Sequence, residues 1–302
     1  MEHVKCTVLG VTKSPRRSGQ PSASQHLPPL GRGGLRLVFG LLRLSRPFQW
    51  FKNPAAVALP ALFMDSRTSD ALASLLWATG LFTLASIAVY TLNDIVDRDE
   101  DRLDPTRQHR PLATGDVSIL AAWVYLGVVY LVLIRGIHLA SHGGTWLISA
   151  FLALNLAYSF WLKHVPLIDA FVIAAGFVLR SLYGYMALQL KPSPWLLLSV
   201  LAFSLLCVFD KRRRELINPF RVHRPALAGY SVKFIEYLIA SSAALSATLY
   251  SVFLAASPDR EQGAISAMTV FIALSTLVFA FFRYLQMLVV GSSAAVLLQQ
   301  RV

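Results

Sequence analysis

Residues 71–92 run for about twenty positions without a charged side chain, and further long apolar runs follow along the chain. A helix needs about twenty apolar residues to cross a bilayer, and within hydrocarbon only helices or closed barrels satisfy their own backbone polar groups. Runs of this length predict an all-α, polytopic transmembrane helical bundle of about eight spanning helices, at 48–64, 70–93, 117–134, 144–162, 166–190, 193–209, 234–257 and 264–283. Short loops between most of them favour antiparallel neighbours. The first span is the weakest, since Lys52 and Asn53 lie inside it and Pro60 interrupts it. With 55% hydrophobic and 15% charged residues, the chain is excluded from the ordinary soluble domains.

The first 34 residues are rich in Pro, Gly, Ser and Arg and read as a disordered basic tail. Leu35–Leu44, carrying Arg36 and Arg43, reads as an interfacial segment ahead of Pro47. The chain therefore divides into a tail and surface segment, 1–45, and a transmembrane domain, 46–302. Twenty-three of the 28 Lys and Arg fall on one side when the amino terminus is placed in the cytosol. The net charge of +12 is thus read as orientation rather than as affinity for nucleic acid. Cys6 and Cys207 suggest neither a disulfide framework nor a zinc site, and the histidines have no metal-ligand spacing.

An acidic and basic stretch, NDIVDRDEDRLDPTRQHRPLATG at 93–115, begins where the second span leaves the membrane. If the helix continues, Asp94, Asp97 and Asp101 lie within about 60° of one another around its axis. Like charges so close repel and resist desolvation, so a cation stabilises the face. Mg²⁺ suits it, because this ion combines a few carboxylates with phosphate oxygens and water. Arg98, Arg102, Arg107, His109 and Arg110 lie within reach of a phosphate in the same stretch. A solvated mixed-charge loop is the plainer alternative.

The motif Asn93, Asp94, Asp97, Asp101, of the form N-D-x-x-D-x-x-x-D, resembles the first acidic motif of the UbiA superfamily of intramembrane prenyltransferases. RPFQWFKN at 46–53, HRPLATG at 109–115, YSFWLKHVPLID at 158–169, FVLRS at 177–181, DKRRREL at 210–216 and HRPALAGYS at 223–231 resemble its decaprenyl-phosphate phosphoribosyltransferase branch. The resemblance implies a transferase that moves 5-phosphoribose from 5-phosphoribosyl 1-diphosphate to a polyprenyl phosphate. It would use Mg²⁺ on Asn93, Asp94, Asp97 and Asp101, with the three aspartates catalytic. Localisation would be a bacterial inner membrane, with the site facing the cytosol. An aromatic polyprenyltransferase of quinone or haem biosynthesis is a second reading, and a non-catalytic lipid-binding protein a third.

Aromatic prenyltransferases of the superfamily usually carry a second acidic motif where this chain has Lys211, Arg212, Arg213, Arg214 and Glu215. A basic run favours bare phosphates, although positive-inside topology alone also produces one. The resemblance assigns Lys211, Arg212 and Glu215 to substrate, and adds weight to Lys52, Asn53, Arg110, Tyr158 and Lys163; the lysines also suit interfacial anchors. Asp169 and Arg180 are eleven residues apart, about 20° around one helix and about 16 Å along it, so they are expected to line the active cavity. A structural ion pair with another helix is the alternative for Arg180. Members of the family usually have nine spans, whereas Met287–Leu298 is too short and interrupted to read as one.

Overall fold

In a computed structural model, residues 30–64, 68–140, 143–217 and 225–256 are described, together with isolated helical positions between 272 and 286. Among them every regular element is helical. The longer helices are α1 (Leu30–Leu44), α3 (Ser69–Val96), α6 (Ile119–His138), α7 (Trp146–Phe160), α8 (Ile168–Ala187), α9 (Pro194–Ile217) and α10 (Val232–Ala255). Short helices α2 (Lys52–Val57), α4 (Arg98–Leu103) and α5 (Pro111–Thr114) lie between them. Helices α3, α6, α8, α9 and α10, with α7 and its leading turn from Gly143, are six elements long and apolar enough to cross a membrane. The expected eighth span and the basic tail before residue 30 lie mostly outside the described residues.

Local sequence sets the helix starts. Thr68, Ser118 and Ser231 each accept a hydrogen bond from the backbone N–H three residues on, capping α3, α6 and α10. Of the apolar cores that form among the described residues, two are the largest. In one, Leu81, Phe82 and Ala85 of α3 pack with Leu133 of α6, Leu147, Ile148 and Phe151 of α7, and Tyr183 of α8. In the other, Ala170 and Ala174 of α8 pack with Leu205, Val208 and Phe209 of α9 and with Ile235 and Ile239 of α10. Helix α8 is therefore shared by both halves. Large apolar side chains such as Leu120, Val124, Val128 and Leu131 of α6 point outward, as contact with acyl chains requires.

The segment expected as the first span departs from that expectation. It is not one crossing helix but a turn at Pro47–Gln49, α2, and a 3₁₀ segment at Leu59–Phe63. The cause is Pro60, which has no N–H to donate and whose ring crowds the carbonyl of Ala56 in a continued helix. That freed carbonyl accepts from the Ser181 hydroxyl at 3.0 Å. Close approach of α2 to α8 also needs Gly184, where an added Cβ would sit 2.0 Å from the Val57 carbonyl oxygen.

Gly184→Ala should therefore cost about 1–3 kcal/mol, since neither backbone can move aside. Gly127 has open space around it, so Gly127→Ala should be neutral or slightly stabilising. Thermal melts of the two variants in detergent check this; equal melting temperatures would refute the close packing of α2 on α8.

Candidate active site

Helix α3 ends at Val96, but the chain keeps turning: the Asp97 amide donates to Asn93 O and the Asp101 amide to Asp97 O. The last turn of α3 and this continuation carry Asp94, Asp97 and Asp101 into the protein, where they are only 2%, 4% and 1% exposed. Charges buried to that degree need partners. Arg110 Nη1 lies 2.9 Å from Asp94 Oδ1 and 2.6 Å from Asp101 Oδ2, bridging two of the carboxylates. Arg46 Nη2 also bonds Asp94, and its guanidinium lies over the Tyr90 ring. Lys163 Nζ meets Asp97 Oδ1 at 2.5 Å. Arg107 Nη1 is 3.7 Å from Asp101 Oδ1.

A tight loop aims these cations. Asp104 Oδ1 accepts from the Thr106 amide and hydroxyl at 2.8 and 2.7 Å, and Arg107 Nε lies 3.3 Å from its other oxygen. Pro111 then opens α5, which Gly115 ends at φ +83°, a conformation that favours glycine. Arg43 of α1 holds the same loop by donating to His109 O at 2.8 Å. Burial pushes the Asp101 carboxyl above the usual carboxylate range; Arg110 opposes this and the Asp94 charge adds to it.

Among the described residues no three acidic, His or Cys side chains form a ready-made metal-ligand group. The donor set nevertheless fits a hard divalent cation. Two carboxylates already converge on the one cationic nitrogen of Arg110, and the buried Asp101 Oδ1 has no hydrogen-bond partner. Asn93 stands beside them, its Oδ1 accepting from Ser159 Oγ at 3.4 Å.

The other residues expected at the site separate into two clusters. In the first, deep between α2, α3 and α8, Asn53 Oδ1 accepts from Arg180 Nε at 2.7 Å and from Ser86 Oγ at 3.2 Å. Arg180 also donates to Gly176 O and Ser86 Oγ, and it lies 4.5 Å from the Phe151 ring centre. Its charge is thus held by dipoles and a ring face rather than by the ion pair weighed as an alternative. Lys52, 3.4 Å from Gln49 Oε1, feels Arg180 and Arg46 as charged neighbours.

In the second cluster, Arg212 donates to Asp169 Oδ2 through Nε at 2.9 Å and Nη2 at 2.7 Å, and to Glu215 Oε2 at 2.7 Å. Asp169 and Arg180 therefore do not share a cavity wall: they point into different clusters. Arg213 pairs with Glu236 and Arg214 with Asp210, so the basic run is largely neutralised by carboxylates. Arg212 faces acids where a phosphate was expected, because α9 and α8 bring Glu215 and Asp169 to it. Lys211 is different, with a 64% exposed side chain 4.0 Å from Glu215 Oε1. Tyr158 lies in the last turn of α7. Arg46 was missed as a site residue; its signal was its place at the head of RPFQWFKN, where it adopts a left-handed φ of 52°.

Comparison with known proteins agrees with this architecture. A decaprenyl-phosphate phosphoribosyltransferase of Mycolicibacterium smegmatis is 30% identical over 254 residues, 79% of this chain and 77% of that protein. A 4-hydroxybenzoate octaprenyltransferase of Polaromonas is 30% identical over 175 residues, 55% of this chain and 58% of that protein. The structure of a UbiA homologue from Archaeoglobus fulgidus bound to GPP and Mg²⁺ superimposes with a TM-score of 0.64 at 16% identity, covering 80% of this chain and 86% of that one. Residues 54–298 match the UbiA prenyltransferase family. With six membrane-length helices and most of its length within that match, this integral membrane protein belongs to the UbiA prenyltransferase family.

Proposed function

We propose that this chain transfers 5-phosphoribose from 5-phosphoribosyl 1-diphosphate to a polyprenyl phosphate at the cytosolic face of the membrane. The observation that carries the reading is the interleaving of Asp94, Asp97 and Asp101 with Arg46, Arg107, Arg110 and Lys163 at one end of an apolar bundle. Such a site offers both ligands for a cation and donors for phosphate oxygens. Likeness to proteins named decaprenyl-phosphate phosphoribosyltransferase supports the choice of a polyprenyl phosphate acceptor and of phosphoribose as the group moved. Residues 46–302 are read as the transferase domain and 1–45 as a basic tail with an interfacial segment.

Asp94, Asp97, Asp101 and Asn93 would hold Mg²⁺, which when bound offsets the charge of the departing diphosphate. Arg46, Arg110 and Lys163 lie where they can take phosphate oxygens and orient the donor. The ribose C1–O bond to diphosphate breaks and a C1–O bond to the lipid phosphate forms. The acceptor oxygen is already anionic, so positioning and charge stabilisation suffice without a strong base. Lys52, Asn53, Arg180 and Tyr158 complete the polar lining. Asp169, Arg212 and Glu215 are read as its support, holding α8 to α9.

A second reading, prenyl transfer to an aromatic acceptor, is favoured by the octaprenyltransferase relative. Purified protein with Mg²⁺, labelled phosphoribosyl diphosphate and a panel of polyprenyl phosphates separates the two. Labelled lipid is the expected result, lost with chelator and restored by Mg²⁺; product from prenyl diphosphate and an aromatic acid alone would establish the second reading. Asp94→Asn or Asp97→Asn should lower turnover by about a hundredfold or more with the fold intact. Turnover within a factor of about two of the parent removes the carboxylates from the chemistry.

The two basic residues of α9 should part company. Arg212→Ala leaves Asp169, 0% exposed, without its guanidinium and should cost about 3–5 kcal/mol of stability. Lys211→Ala should leave the melting temperature alone and, if Lys211 holds a phosphate, raise KM for one substrate by about tenfold or more. An unchanged KM for both substrates takes Lys211 out of the site.

Orientation is testable through Asp99, whose side chain is 79% exposed. In a Cys6→Ser, Cys207→Ser background, Asp99→Cys should react with a membrane-impermeant thiol reagent only after cells are opened. Labelling in intact cells would place the site on the other side.

A further inference from the structure

We propose that Tyr230 is a positioning residue, which fastens the α7–α8 turn so that Lys163 meets Asp97. The proposal rests on the reading of Lys163 and Asp97 as parts of the reaction site. Lys163 is not on a long helix: it sits in a single 3₁₀ turn, Leu162–His164, that runs through Val165 and Pro166 into Leu167. Leu167 has φ +65° and ψ −48°, and the Ile168 amide reaches back to Pro166 O at 2.8 Å. This is the positive-φ γ-turn, which is strained for a residue with a side chain. Nothing in Leu167 itself favours the conformation, so something must hold it.

The holding group comes from 63 residues further along the chain. The Leu167 amide donates to Tyr230 Oη at 2.7 Å, and that hydroxyl donates to Asp169 Oδ1 at 3.1 Å. Asp169 is fixed in turn by Arg212, through two hydrogen bonds to its other oxygen. One hydroxyl thus clasps the strained amide on one side and the first turn of α8 on the other. The segment that delivers it is pressed flat on the turn: a Cβ built on Gly229 would come 2.4 Å from Pro166 Cγ. Stacking on Phe234 keeps the Tyr230 ring from swinging away. Without the hydroxyl the amide loses its acceptor, the γ-turn can relax, and Lys163 is free to leave Asp97.

A tyrosine that merely filled the core would act differently, and two measurements on the full chain in nanodiscs tell them apart. The first is acylation of Lys163 by an amine reagent, read by peptide mass spectrometry against exposed Lys211. It needs no substrate, so it decides the clasp even if the proposed reaction is wrong. Tyr230→Phe should raise Lys163 labelling by about five- to tenfold and lower kcat by a similar factor, with KM for the lipid unchanged. Leu167→Gly, for which a positive φ carries no strain, should restore both in the Tyr230→Phe background. Gly229→Ala, which lifts the segment while keeping the hydroxyl, should imitate Tyr230→Phe, and it carries the test if that variant misfolds. Unchanged Lys163 labelling, a kcat within twofold of the parent despite faster labelling, or a loss that Leu167→Gly does not repair would each overturn the proposal. A parent inactive on phosphoribosyl diphosphate would instead sink the proposed function and leave the labelling to judge the clasp.

Discussion

A carboxylate taken out of water at the end of an apolar bundle costs several kcal/mol unless a cation meets it, and this requirement shapes the first half of the chain. Asp94, Asp97 and Asp101 are buried because the chain keeps turning in register past the end of α3. Each is then met by a basic group from a different direction: Arg46 from the end of α1, Arg110 from the loop before α5, and Lys163 from the turn after α7. The short elements between the long helices exist in the form they do because they deliver these charges. Arg43 on His109 O and the Asp104–Thr106 turn are the local means of doing so.

Deeper in the membrane the same requirement is met without opposite charge. Arg180 spends its donors on Asn53, Ser86 and a backbone carbonyl, with aromatic faces around it. Asn53 can reach it only because the chain before α3 is broken into short turns rather than drawn out as a crossing helix. The interruption at Pro60, which weakens a span, thereby brings a polar side chain to the middle of the bundle.

Much of this was legible in the sequence. Apolar runs gave six of the spans, because only helices satisfy their backbone in lipid; the closeness of Asp94 and Asp101 was readable from their spacing. Helix α9 runs to Ile217, eight residues beyond its expected end at 209, since pairing of Asp210 with Arg214 and of Arg212 with Glu215 lets a charged stretch stay helical. What the sequence could not show were the partners. Lys163 is 66 residues from Asp97, Arg46 is 48 from Asp94, and Tyr230 is 61 from Asp169. Nor does a run of basic residues reveal that acids on two other helices will claim it, as they claim Arg212 and Arg213.

The two charged residues of α8 have partners on opposite sides of it in chain order. Arg180 bonds Asn53 and Ser86, both synthesised earlier, whereas Asp169 bonds Arg212 and Tyr230, both synthesised later. A nascent chain that has delivered α8 but not α9 already has a berth for its arginine and none for its aspartate. Chain order thus sets a limit at this helix: the deep contacts of Arg180 need nothing beyond α8, whereas those of Asp169 can form only once Arg212 and Tyr230 have been made.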